Sequence, residues 1–356
     1  MSNKVRAAII GCGNIAGAHG PAYKAIADHV ELAYCIDLIP ERAEEKKAAF
    51  GDENTVCLTD YREMLKDPTV DVVSVCLPND LHAPVTIDCL NAGKHVLCEK
   101  PVALNYEQAL TMKEAADRNG RILNIGVVNR FNRAVEAVRE SILSGELGEV
   151  YQIYCSFRAF RSIPNLGGWF TTKARSGGGA LIDWGVHFLD LINYCMDNPQ
   201  PKTVSAVCHA KLVTDLHSYH YRWMHAGPTN FDGIDDVEEY VTGLVRTDGP
   251  TLTFNGAWAQ NIDEDAMFIE FMGTKGGIKL QYGGQYTLYT ERNGEFIAKQ
   301  SELDIPNHFL AEISSFVDSA MRGEKNRSNI DNVLVTAKLM DEIYRSAELG
   351  REVVVE

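Results

Sequence analysis

No stretch of this 356-residue chain approaches the roughly 20 consecutive apolar residues that a membrane-spanning helix needs. The opening residues, Met1-Ser2-Asn3-Lys4-Val5-Arg6, run straight into a β-prone segment without the apolar core of a secretory signal, so a cytoplasmic protein is expected. Patterned cysteines are missing too. The nine present (Cys12, Cys35, Cys57, Cys76, Cys89, Cys98, Cys155, Cys195, Cys208) stand singly, with no Cys-x-x-Cys among them. Such an odd, scattered set reads as reduced thiols in a cytoplasm. Positive charge is in deficit: 34 Lys and Arg against 49 Asp and Glu, a net −15, which argues against nucleic acid or an anionic membrane as partner. Low-complexity sequence is absent. What remains is 45% hydrophobic and 23% charged, the composition of a packed globular protein, and the length suits two domains of ordinary size.

The first half alternates strands and helices. Val5–Ile10 is a short β-prone run, followed by Gly11-Cys12-Gly13-Asn14-Ile15-Ala16 and a helical pattern to about Ala27. The glycines let the backbone turn sharply and approach a pyrophosphate, and the helix start offers free N–H groups to phosphates. Gly11, Gly13, Asn14 and Ile15 are therefore candidate cofactor contacts. Asp37 closes the next strand, where a carboxylate accepts hydrogen bonds from ribose hydroxyls and repels a 2′-phosphate. This favours NAD over NADP, and Arg42 reads as a helix-surface charge. A buried strand, residues 70–77, ends at Leu77-Pro78-Asn79-Asp80-Leu81-His82, which adds Leu77, Pro78, Asn79 and His82 to the cofactor set. The strand in 94–103 stops at Glu99-Lys100-Pro101, since proline has no N–H for a ladder. Ligands collect beyond the carboxyl ends of parallel strands, so Glu99 and Lys100 face the cofactor; the alternative is a solvated lysine in a turn. Strand 121–128 leads to Asn129 and Arg130, further candidates for cofactor and substrate. The alternation predicts a doubly wound parallel sheet of the Rossmann kind over residues 1–128.

Residues 129–356 follow another rhythm. After a helix at 133–144, strands dominate: 150–158, 203–213, 237–246, 251–260, 267–273, 277–282, 285–291 and 295–299. Short turns such as Arg246-Thr247-Asp248-Gly249 and Glu291-Arg292-Asn293-Gly294 imply antiparallel neighbours. An α+β domain on one large, mainly antiparallel open sheet is predicted, with helices over one face and a second subunit over the other. Helices 307–322 and 329–348 close the chain, the last free to pack back on the first domain. One segment stands apart, Ser176-Gly177-Gly178-Gly179-Ala180-Leu181-Ile182-Asp183-Trp184-Gly185-Val186-His187. Asp183 and His187 are four apart and share a helix face, and a carboxylate near an imidazole suits a general base for a secondary alcohol. The bland alternative is a helix-start acid with a core histidine one turn later.

The glycine turn at 11–16, Asp37, Glu99-Lys100-Pro101 and the Gly177–His187 segment together resemble the glucose–fructose oxidoreductase, inositol dehydrogenase and rhizopine-catabolism (Gfo/Idh/MocA) family over nearly the whole chain. The resemblance implies NAD(P)-dependent hydride transfer at a secondary hydroxyl of a sugar, glycoside or cyclitol. It implies His187 as general base, Asp183 as positioner of hydroxyl and histidine, and Lys100 as the residue that binds substrate and cofactor together. It also implies a homodimer or homotetramer built on the open sheet face and allows a cis Lys100–Pro101 bond. No metal is required; a zinc alcohol dehydrogenase would need Cys and His ligands that do not assemble around Lys100.

Residues 157–175 carry the candidate substrate contacts Arg158, Arg161, Asn165, Trp169 and Phe170, with aromatic rings to stack on a sugar and polar groups to bind hydroxyls. The competing reading is a surface loop that merely covers the sheet. By analogy with family members that make 3-keto sugars, C3 of a glucosyl unit is the first choice. His209, His217, His220 and His225 match no ligand spacing, and a substrate lid is the better reading there. Two other functions stand beside a dehydrogenase: an NAD-dependent glycoside-cleaving enzyme that oxidises, eliminates and re-reduces, and a non-catalytic NAD or sugar sensor. Intact Lys100, Asp183 and His187 speak against the sensor.

Overall fold

The computed structural model describes residues 4–223 and 227–356. The chain forms two compact units, one comprising the chain up to Phe131 with Asn307–Leu334, the other Asn132–Pro306 with Val335–Glu356.

The first unit runs β1 (Val5–Ile10), α1 (Ala16–Ala25), β2 (Val30–Ile36), α2 (Pro40–Phe50), β3 (Val56–Leu58), α3 (Tyr61–Leu65), β4 (Val72–Val75), α4 (Asn79–Asn91), β5 (His95–Glu99), α5 (Tyr106–Asn119) and β6 (Leu123–Gly126). The strands make one parallel sheet in the order β3-β2-β1-β4-β5-β6. Every residue of β4, β5 and β6 is buried, as parallel strands covered on both faces require. The order reverses between β1 and β4, so their carboxyl ends diverge and leave a crevice where dinucleotides bind in such folds. The unit is completed from far along the chain by His308–Arg322 (α9 in chain order), which the sequence reading left with the later strands. Its Ile313, Phe316, Val317 and Ala320 recur on one helix face and join the core of Ala16, Ala22 and Tyr23 from α1.

The second unit contains α6 (Arg133–Leu143), β7 (Val150–Arg158), α7 (Lys173–Ser176), α8 (Val186–Cys195), β8 (Pro201–His209), β9 (Tyr240–Thr247), β10 (Thr251–Ala257), β11 (Ala266–Gly273), β12 (Gly276–Gln281), β13 (Tyr286–Arg292), β14 (Glu295–Gln300), α10 (Leu334–Leu349) and β15 (Val353–Val354). The strands form a nine-stranded sheet ordered β14-β13-β12-β11-β7-β10-β9-β8-β15. All neighbours are antiparallel except β7 and β10, which run side by side in the same direction. The predicted α/β plus α+β class is therefore what the chain adopts. Asn293 and Gly294 both have positive φ (55° and 80°), the conformation a tight hairpin between β13 and β14 demands. Phe157, Phe188, Leu189, Phe254 and Met340 pack into the core between sheet and helices. Strand β8 stops at His209, short of the expected 213. Among the described residues, no helix is long and apolar enough to cross a membrane.

Candidate active site

In the first unit, the glycine turn follows β1 at the sheet's carboxyl edge. Gly11 has φ +91°, and a Cβ there would stand 2.3 Å from the Cys76 carbonyl oxygen, so only glycine fits. A Cβ at Gly13 would meet nothing within 4 Å, leaving open space before the start of α1. Asn14 is exposed and Ile15 half-buried beside it. Asp37 lies at the end of β2. Its Oδ2 accepts from the Cys12 N–H at 2.8 Å and its Oδ1 from the Ile39 N–H at 2.9 Å, which fixes the carboxylate against the glycine turn. Leu38 next to it is 84% exposed, so no side chain there neutralises the acid.

After β4, Pro78 precedes α4, Asn79 is its first, buried residue, and Leu77 is half-buried. His82 is fully buried, with Nδ1 2.7 Å from the Pro101 carbonyl oxygen and Nε2 2.8 Å from that of Leu77. Burial lowers its pKa, against the two carbonyls, which raise it. At the end of β5, Glu99 Oε2 accepts from the Lys100 N–H at 3.2 Å, and Oε1 lies 2.7 Å from His19 Nε2. The Lys100–Pro101 peptide is cis. Asn129 and Arg130 sit in a short 3₁₀ turn, Val128–Phe131, both buried. Arg130, expected to bind substrate, is 1% exposed, and its guanidinium donates to the carbonyls of Arg327 (2.7 Å) and Asn332 (3.0 Å). A cation this deep is held by the backbone it braces.

In the second unit, the glycine-rich segment does not enter a plain α-helix. Leu181–Gly185 forms a wide π-helical turn before α8 begins, a form often found at functional sites. Asp183 lies in that turn, and its Oδ2 accepts from the Trp258 indole N–H at 3.1 Å. His187 is half-buried in the first turn of α8, its ring centroid 5.8 Å from that of Tyr282. Sequence reasoning missed Glu238, which anchors this segment. It accepts from the N–H groups of Gly179 (2.9 Å) and Leu181 (3.0 Å) and from the Tyr344 hydroxyl (2.9 Å). Burial pushes its pKa up, and the N–H donors pull it back down. A Cβ at Gly179 would fall 1.9 Å from the Glu238 carbonyl oxygen, which explains the glycine. The only signal in the sequence was an acid beside Val237 in the run 235–239. Nearby Asp235 is pushed to about 7, by burial first and then by Glu239 and Asp236.

The 157–175 loop is held by its own polar groups. Arg158 donates to Ser156 Oγ (3.2 Å) and Gln260 Oε1 (3.5 Å). Arg161 donates to Asn261 and lies over the Tyr219 ring, and Asn165 donates to the Pro228 carbonyl at 3.1 Å. Trp169 and Phe170 stack on each other at 3.8 Å. Of the later histidines, His209 packs near Tyr240 and His217 stacks on Phe231, while His225 lies outside the described residues.

Residues 5–127 match the model of an oxidoreductase family with an NAD-binding Rossmann fold, and residues 135–279 match the GFO/IDH/MocA C-terminal domain. D-glucoside 3-dehydrogenase of Escherichia coli (strain K12) is 32% identical over 360 aligned residues, covering 99% of this chain and 98% of that one. The chain belongs to the Gfo/Idh/MocA family. Levoglucosan dehydrogenase of Pseudarthrobacter phenanthrenivorans is 30% identical over 77% of this Gfo/Idh/MocA protein and 73% of the relative. A solved levoglucosan dehydrogenase in complex with NADH and levoglucosan shares the fold, with a TM-score of 0.87 at 22% identity over 99% of this chain and 100% of that one. The first unit is thus an NAD-binding Rossmann domain in a family that includes sugar and cyclitol dehydrogenases.

Proposed function

We propose that this Gfo/Idh/MocA protein moves a hydride between a secondary hydroxyl of a sugar, glycoside or cyclitol and NAD. The observation that carries the proposal is the Glu99-Lys100-Pro101 strand end, which shares one sheet edge with the glycine turn and Asp37. A bound NAD would supply the hydride acceptor. The chain's own residues do the rest. His187 takes the hydroxyl proton on a ring nitrogen, Asp183 binds a substrate hydroxyl and orients the base, and the Lys100 ammonium stabilises the developing alkoxide. Asp37 accepts from the ribose hydroxyls and disfavours a 2′-phosphate, so NAD is preferred to NADP. Leu77, Pro78, Asn79, Asn129 and the glycine turn line the cofactor, and Trp169, Phe170, Arg158, Arg161 and Asn165 select the sugar. Kinship with a D-glucoside 3-dehydrogenase along 99% of the chain supports oxidation at C3. The sheet's outer strands support a homodimer or homotetramer: β14 is exposed throughout, with Phe296 94% exposed.

The test is a panel of glucosides, free sugars and inositols with NAD, following NADH by absorbance and locating the new carbonyl by NMR. NADH formed from glucosides at C3, and lost by a factor of about 100 or more in His187→Ala, is the expected result. Aglycone release without NADH would instead identify the oxidation–elimination–reduction route. Turnover with NADP alone would overturn the Asp37 argument.

A further inference from the structure

Behind Lys100, three segments far apart in the chain bury their ionisable side chains together. His19 comes from α1, Glu99 from the last position of β5 and Glu312 from α9; their exposures are 0%, 5% and 0%. One polar atom from each lies within 4.8 Å of the other two. His19 and Glu99 are well partnered. His19 Nε2 meets Glu99 Oε1 at 2.7 Å, its Nδ1 meets Ser74 Oγ at 3.1 Å, and Ser74 Oγ meets the Tyr23 hydroxyl at 2.8 Å. The other Glu99 oxygen takes the Lys100 N–H. Glu312 is different: neither carboxyl oxygen has a hydrogen-bond partner among the described residues.

We propose that Glu312 is a positioning residue for Lys100: it stays an uncharged carboxylic acid behind the His19–Glu99 pair, so that no second anion disturbs the strand end that presents Lys100. The proposal rests on the role given to Lys100 above. A carboxyl group in a dry pocket without a hydrogen-bond donor does not gain from ionising, least of all beside another carboxyl group. Glu99 has His19 and a backbone N–H; Glu312 has neither, and burial together with Glu99 holds it well above the usual carboxylate range. Of the other titratable groups near it, the Tyr23 phenol from α1 and the Cys76 thiol after β4 are both raised by burial and keep their protons, and His308 lies one turn back on α9. Gly126 is what lets the Glu99 carboxyl group lie so close to β6, since a Cβ there would stand 2.9 Å from it. A shared cation fits the geometry poorly. Two ligand atoms on one tetrahedral ion with bonds of about 2.05 Å stand roughly 3.3 Å apart, whereas His19 Nε2 and Glu99 Oε1 are at hydrogen-bond length.

The experiment compares wild type, Glu312→Gln and Glu312→Ala in NAD-linked turnover from pH 6 to 10, with Lys100→Ala as reference. Glu312→Gln, uncharged and nearly isosteric, should keep kcat at pH 7 within about threefold and lose the alkaline fall that ionisation of Glu312 imposes on the wild type. Glu312→Ala should lower kcat more than tenfold, with Gln as the rescuing variant. Infrared difference spectra should show a protonated carboxyl band in the wild type that Glu312→Gln lacks. A tenfold loss in folded Glu312→Gln at pH 7, superposable pH profiles, or a stoichiometric divalent metal lost with Glu312 would each overturn the proposal. Full turnover in Lys100→Ala would instead remove the reading of Lys100, leaving the infrared band to decide the state of Glu312.

Discussion

Replacing Glu312 with methionine should make the first unit more stable, and increasingly so as pH rises. The side chain is wholly buried, with both oxygens unpaired among the described residues, so it gains nothing from ionising in the fold. Its folded pKa is raised, so between the unfolded value, near 4.3, and the folded one the unfolded chain has released a proton that the native chain keeps. Wild-type stability therefore falls with pH across that window by about 1.4 kcal/mol per unit. Methionine, of similar volume and without charge, escapes the penalty. The advantage of the variant should therefore grow with pH above the unfolded value until Glu312 ionises in the fold, and below about pH 4 it should be flat. Tryptophan fluorescence is the wrong probe, because Trp169, Trp184, Trp223 and Trp258 all belong to the second unit. Hydrogen exchange at the buried amides of β4 and β5 reads the first unit directly. A stability difference that does not change with pH would mean that Glu312 is ionised in the native state, and the reasoning would fail.

Gly11→Ala should cost about 3 kcal/mol or more and abolish NAD binding, measured by calorimetry, since a β-carbon meets a backbone carbonyl at positive φ. Asp37→Ser should lower kcat/KM for NAD by about 10- to 100-fold, the worth of one or two charge-assisted hydrogen bonds, while raising that for NADP. Trp258→Phe removes the indole donor to Asp183 and should reduce kcat about 3- to 10-fold with little change in KM for NAD; an unchanged kcat would show that this hydrogen bond does not position the acid.

Where local chemistry decides structure, the chain could be read directly. The β1–glycine turn–α1 unit, Asp37 at the end of β2 and the stop at Pro101 were visible because each depends on residues close in sequence. The membership of α9 was not, since its amphipathic face says that it packs but not against what. The π-helical turn at Leu181–Gly185 was hidden because its spacing passes for an α-helix; it is anchored by Glu238, more than fifty residues later. The His19–Glu99 contact spans 80 residues, and nothing in either local pattern points to the other. The anchoring of Arg130 was hidden for the same reason. An arginine next to a candidate cofactor residue looks functional until carbonyls nearly 200 residues away turn out to hold it.

The contribution of Asn307–Leu334 to the first unit has a practical corollary for anyone dividing this protein. A truncation after Phe131 severs the nucleotide-binding half from Ile313, Phe316, Val317 and Ala320, and strips cover from α1. Such a fragment, though it holds all six parallel strands, would expose apolar surface and aggregate. Grafting residues 307–334 onto it through a short linker is the shortest route to a half that folds alone.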